Sequence, residues 1–245
     1  ETEKKGIKRD DIDFMEQLEW KNDAEETAFA VSVKMQWFEV ATVLVEYGAD
    51  PNTRTVNENT PLTRSAFDGR LDTTRWLLTY CKRPVDIHAV NFNGESSILI
   101  AIKQRNFKVA SFLMEKGANI EDKDSTGNTA LLFGAQACNM EIVKYCVEQG
   151  KANVDTPNRW GMTALMYSAR NSKGGLILDY LMTEAGCDIN QVDKNYNNAL
   201  MHACKKGNMT TATKLLAAGA DWLQENDDGL IAKALVKPYS KDPER

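Results

Sequence analysis

Gly117-Ala118-Asn119-Ile120-Glu121-Asp122-Lys123-Asp124-Ser125-Thr126-Gly127-Asn128-Thr129-Ala130-Leu131 decides how this chain is read, because both of its ends recur. The opening phrase returns as Gly48-Ala49-Asp50-Pro51-Asn52, Gly186-Cys187-Asp188-Ile189-Asn190 and Gly219-Ala220-Asp221, and Gly150 begins an interrupted copy. The closing triplet returns as Thr60-Pro61-Leu62, Thr163-Ala164-Leu165 and Asn198-Ala199-Leu200, with degenerate copies Thr27-Ala28-Phe29 and Ser96-Ser97-Ile98. The triplets start at 27, 60, 96, 129, 163 and 198, in steps of 33, 36, 33, 34 and 35. A base period of 33 with small insertions marks a repeat architecture.

Each part of the period has a physical role. The leading Thr predicts a helix N-cap, its hydroxyl accepting an otherwise orphaned backbone N–H. Pro61 suits the first helical position, where no N–H is needed. Small residues five positions on (Ser65, Ala101, Gly134, Ser168, Ala203) let paired helices approach closely. The Gly of the opening phrase ends a second helix in the left-handed region. Asn93-Gly94 and Thr126-Gly127 then predict hairpin tips. The second helices show apolar spacing at Val40, Val43 and Leu44, at Trp76 and Leu77, at Phe112 and Leu113, and at Ile142 and Val143, and Trp76 reads as core. Insertions fall around Lys82-Arg83-Pro84, Lys151 and Lys173-Gly174-Gly175, where loops absorb them at small cost.

With its period of 33 and its T-P-L-type triplet, the chain resembles the ankyrin-repeat family over roughly residues 24–235. The resemblance implies an all-α repeat solenoid of helix-turn-helix units with β-hairpin tips. We expect six full repeats over 24–225, an N-terminal capping helix over 1–23 (Ile12, Met15, Leu18), and a C-terminal half-repeat cap with a polar tail over 226–245. In that cap Leu230, Ile231, Ala234 and Leu235 face inward and Pro238 stops the helix. Two caps make the solenoid complete and favour a monomer. One departure stands out: the family's His three positions after the Thr is replaced by Ala30, Thr63, Leu99, Leu132, Met166 and Met201, which puts its tip hydrogen bonds in doubt.

The bulk numbers agree with a folded globular chain. Of 245 residues, 42% are hydrophobic and 27% charged, which separates the chain from disordered tails. No membrane-length apolar run occurs, and Glu1-Thr2-Glu3-Lys4-Lys5 lacks the apolar core of a signal peptide. The first residue is Glu rather than Met, so a fragment or processed chain is expected. A net charge of −5 argues against bulk electrostatic attraction to nucleic acid. Cys81, Cys138, Cys146, Cys187 and Cys204 form no C-x-x-C pair and read as small hydrophobes in a reducing, cytoplasmic setting. The triplet Asn208-Met209-Thr210 carries no weight there.

Catalytic chemistry is not expected. His88 and His202 fall in repeats that are not neighbours, His202 and Cys204 lie on different helix faces, and no phosphate loop, H-E-x-x-H or nucleophile elbow occurs. We therefore expect neither cofactor nor metal.

The resemblance implies partners on the tips and on the concave face of the first helices. Seven positions after each Thr the residues are Lys34, Phe67, Lys103, Gln136, Arg170 and Lys205, four of six basic in an acidic chain. Position eight adds Lys206. Position four adds Arg64, Phe133, Tyr167 and His202 beside Val31 and Ile100, and the tips add Phe92, Arg159 with Trp160, and Tyr196 with Lys194. Neighbouring helices pack about 8–10 Å apart, roughly one Debye length at physiological salt, so the basic row repels itself little. The expectation is an adaptor or scaffold gripping a protein or peptide with an acidic segment, weighted toward repeats four to six. Ordinary exposed helix positions and packing of Phe133 or Tyr167 remain the plain alternative. A recruiting or inhibitory module of a larger enzyme, and a binder of nucleic acid or a phosphorylated ligand, stay open.

Overall fold

The computed structural model describes residues 17–55 and 57–235. Twelve α-helices form six pairs among them, and the chain divides into two compact units, Glu1–Asp122 and Lys123–Arg245. The first unit holds α1 (Ala28–Lys34) and α2 (Phe38–Glu46), α3 (Pro61–Asp68) and α4 (Leu71–Thr79), and α5 (Ser97–Lys103) and α6 (Phe107–Glu115). In the second are α7 (Ala130–Gln136) and α8 (Met140–Lys144), α9 (Ala164–Arg170) and α10 (Gly175–Thr183), and α11 (Ala199–Lys206) and α12 (Met209–Ala217). Ile12, Met15, Val236 and Pro238 lie outside the described residues.

Every first helix begins on the residue after a recurring cap. Thr27, Thr60, Thr129, Thr163 and Asn198 each accept the backbone N–H three residues on. Thr60 and Thr63 close a reciprocal capping box, with the Thr60 N–H donating to Thr63 Oγ1 at 2.8 Å. Ser96 makes no such bond, and its hydroxyl and that of Ser97 are buried without a partner among the described residues.

Within each unit, first helices pack on first helices: α1 on α3 and α3 on α5, then α7 on α9 and α9 on α11. The small residues allow it. A Cβ on Gly134 would stand 2.8 Å from Ile142 Cγ2, so α7 and α8 touch where that side chain is missing. Trp76 is core, stacked on Phe38 with ring centroids 5.2 Å apart.

Four sequence expectations need correction. The inward face of α2 is Ala41 and Val45, while Val40 and Val43 are half exposed, because among the described residues no earlier repeat covers that side. In the C-terminal segment Ala232 is the buried residue of a short 3-10 turn (Ala232–Leu235), and Leu230 and Ala234 are exposed. Four residues make too little helix to bury a stripe. Gly150 keeps a negative φ; α8 widens into a π-helical segment (Tyr145–Gln149), and Lys151 takes the positive φ instead. This absorbs the insertion inside the helix end rather than in the loop. Finally, the tips are not extended hairpins: among the described residues only isolated bridges, Lys21↔Thr27 and Val90↔Ser96, are paired.

What holds most tips is an Asn or Asp five residues before five of the six caps, and again Asn226 after the last pair. The side-chain oxygens of Asn22, Asn91, Asp124, Asn158, Asp193 and Asn226 each accept two backbone N–H groups, two and four residues on, at 2.8–3.1 Å. In the second unit successive tips also bond to one another, Arg159 N–H to Thr126 O (3.3 Å), Lys194 N–H to Trp160 O (3.0 Å) and Asp227 N–H to Asn195 O (3.1 Å). Glycine permits that closeness. A Cβ on Gly127 or Gly161, both at positive φ, would come within 2.8 or 2.7 Å of the next tip's backbone nitrogen.

Candidate interaction surface

The first helices turn one face to the tips, and on that face the two units differ. In the first unit the cations are engaged. Lys34 Nζ meets Glu26 Oε1 at 2.8 Å, Lys103 meets Glu95, and Arg64 Nε meets Asp68 Oδ2 at 3.1 Å while lying over the Phe67 ring. Burial pushes the Glu95 carboxyl up, but Lys103 and the Asn91 and Asn93 side chains hold it below the usual carboxylate range. Phe67 and Phe92 are exposed, the latter by 80%, and line a groove of about 430 Å³ with Asn57, Asn59 and Asn93. Lys34 lies apart, in a smaller cleft with Glu26, Asp68 and Arg70.

On that face of the second unit Arg170, Lys205 and Lys206 are unmatched: among the described residues no carboxylate reaches any of the three within ion-pair distance, and all three are exposed. They line one groove of about 510 Å³ with Gln136, Trp160 and Tyr167. Trp160 is 55% exposed at the tip end. Two position-four residues turn back onto their own tips: Tyr167 Oη accepts from Asn158 Nδ2 at 2.9 Å, and His202 Nε2 meets Asp193 Oδ2 at 2.8 Å. His202 is therefore a buried wall of the groove rather than a free side chain, only 9% exposed. Burial pushes Asp193 up, yet the hydrogen bond and charge of His202 and the N–H groups of Asn197 and Asn195 bring it below its ordinary value. Burial likewise raises the Tyr167 hydroxyl.

Not every expected residue joins a groove. Phe133 is half-buried, and Arg159 and Tyr196 are exposed on the tips outside both linings, Tyr196 at φ +57°. Sequence reasoning missed Ser172 and Asn208, which with Asn171 (eight positions after Thr163), Gln136, Arg170 and Lys206 line an adjoining groove of about 490 Å³. Their signal was the insertion at Lys173-Gly174-Gly175, which lengthens the turn after α9.

Chemistry beyond binding finds little material. Among the described residues no group of three His, Cys, Asp or Glu side chains is placed to hold a metal, and no helix is long and apolar enough to cross a membrane. The five cysteines are free; burial, with the charge of Asp155, pushes the Cys187 thiol up to about 12.

Comparison with known proteins completes the picture. The family model for ankyrin repeats, three copies, matches residues 28–124 and 98–193. A Danio rerio protein provisionally named palmitoyltransferase ZDHHC13 is 30% identical over 196 residues, covering 79% of this chain and 30% of that protein. The Caenorhabditis elegans ankyrin repeat and KH domain-containing protein mask-1 is 27% identical over 229 residues, covering 82% of this chain and 8% of its own. The chain spans less than a third of the length of the curated relatives it matches. Among solved structures, the ankyrin repeat domain of Bcl-3 superposes with a TM-score of 0.73 at 20% identity, covering 86% of this chain and 94% of that one. The period, the capped helix pairs, the stacked tips and the family match together make this chain a member of the ankyrin-repeat family.

Proposed function

We propose that the chain is a protein-interaction module whose second unit grips an acidic peptide segment along the tip-facing side of α7, α9 and α11. One observation carries this reading: Arg170, Lys205 and Lys206 stand unpaired in one groove, while Lys34, Arg64 and Lys103 of the first unit are matched by carboxylates of their own repeats. Unpaired cations near an exposed Trp are the residue types that dominate interface energetics. The role is binding rather than catalysis, and the setting is cytoplasmic, where five free thiols are stable. Titrating the whole chain with glutamate-rich and lysine-rich peptides of equal length tests it. The glutamate peptide binds and weakens as salt rises; equal affinity for both would overturn the reading.

A second reading rests on one comparison. Similarity to part of a protein named as a palmitoyltransferase favours a recruiting module attached to a larger enzyme. The sequence of the full-length gene decides it, by carrying or lacking a catalytic domain.

A further inference from the structure

We propose that the adjoining groove is a phosphate subsite, so that the peptide the second unit takes carries a phosphorylated serine or threonine held by Arg170 and Lys206; this rests on the groove being a peptide site at all. Four grooves are described, and three contain carboxylates: Glu95 in one, Glu26 and Asp68 in another, Asp193 beside His202 in a third. The fourth contains Arg170 and Lys206 and no carboxylate. A peptide carboxylate brings a single charge, whereas a phosphate monoester brings about −1.5 to −2 and three acceptor oxygens. Two free cations in one acid-free groove match the second charge better than the first. The Arg170 fork can take two phosphate oxygens at once, and the Lys206 ammonium serves as a point charge for the third.

Neutral donors complete the subsite. The Asn171 Oδ1 accepts the Lys173 N–H at 3.1 Å, which leaves its NH2 group available, and the Ser172 hydroxyl is exposed beside it. Asn208 is wall rather than donor, since its Nδ2 is committed to Ala169 O at 2.9 Å. The turn bearing Asn171 and Ser172 is held against α9. The Gly174 N–H donates to Asn171 O at 2.9 Å, and a Cβ on Gly174 would lie 2.2 Å from Ser168 O. The two donors are thus fixed next to Arg170 rather than carried on a loose loop. The neighbouring groove shares Gln136, Tyr167, Arg170 and Lys206 and ends on Trp160 and Met162. A peptide with its phosphate on Arg170 and Lys206 can therefore run on to an apolar contact at the tip.

The test uses the whole chain and three fluorescent peptide libraries that differ only in a fixed central residue: phosphoserine, glutamate or serine. The phosphoserine library binds about tenfold tighter than the glutamate library, as the doubled charge and charge-assisted bonds require, and the serine library binds weakest. R170Q and K206Q, both at exposed positions, remove the preference for phosphoserine over glutamate, while K103Q in the first unit keeps it. Equal affinity for phosphoserine and glutamate would overturn the phosphate subsite and leave the acidic-peptide reading standing. Binding of none of the three would overturn both. A preference that survives R170Q with K206Q would remove it from this groove, and competition by inorganic phosphate as strong as by the peptide would reduce the site to one for a small anion.

Discussion

The two units carry the same helix pairs and similar basic rows, yet only in the first are Lys34, Arg64 and Lys103 matched by carboxylates of their own repeats. Arg64 is matched by Asp68 four residues on, whereas for Lys34 and Lys103 the difference lies in the residue just before the cap. In the first unit it is Glu26, Asn59 and Glu95, and the glutamates reach Lys34 and Lys103 eight residues on. In the second unit the same position holds Asn128, Met162 and Asn197, so Arg170 and Lys205 find no carboxylate. A glutamate just before the cap thus decides, for Lys34 and Lys103, that a first-helix cation is matched within its own repeat. A count of basic residues along the row does not separate the two cases; the identity of their tip neighbours does.

Charge reversal on the two basic rows separates the units most strongly. R170E with K205E and K206E lowers affinity for a glutamate-rich peptide about 100-fold or more, since like charges facing each other cost several kcal/mol. K34E with K103E, read by the same fluorescence titration, changes it less than about threefold, because neither residue lines the second unit's groove. A smaller effect concerns the turn that positions Asn171 and Ser172. Gly174→Ala forces a Cβ onto Ser168 O and lowers stability by about 1–3 kcal/mol, measured as a shift in urea midpoint. Acid sharpens the contrast further. Asp193 is held below its ordinary value in the fold, so its contribution is present above an unfolded carboxylate value of about 3.9 and is lost as pH falls through the folded one. Urea midpoints taken from pH 7 to pH 3 therefore fall less steeply in D193N than in the parent chain. Smallest is E95Q, which removes the ion pair of Lys103 and raises the first unit's affinity for the same peptide about twofold, within the modest range of such pairs.

The sequence made the helix starts legible because capping is local chemistry. Thr27, Thr60, Ser96, Thr129, Thr163 and Asn198 each stand one residue before a helix, although Ser96 makes no cap bond. Ser97→Ala accordingly leaves stability unchanged or raises it by up to about 1 kcal/mol, since it removes a buried hydroxyl without a partner; thermal melts check this. The tips were legible in principle and missed. The doubt raised by the absent histidines dissolves once Asn22, Asn91, Asp124, Asn158 and Asp193 are seen to recur five residues before five of the six caps. The pairing of the basic row was harder to read. Helical spacing relates residues three or four apart, whereas Glu26–Lys34 and Glu95–Lys103 are eight apart and Asp193–His202 nine, each joining a tip to a helix. Burial of Val40 and Val43 could not be read either, because it depends on what lies beyond the first pair rather than on their own spacing.

We propose that the second unit, not the first, presents the peptide groove. Backbone hydrogen exchange with and without a saturating glutamate-rich peptide tests this most directly. The prediction is added protection over 160–171 and 195–208, with 57–68 and 91–104 unchanged. Protection confined to 57–104, or spread equally over both units, would contradict it.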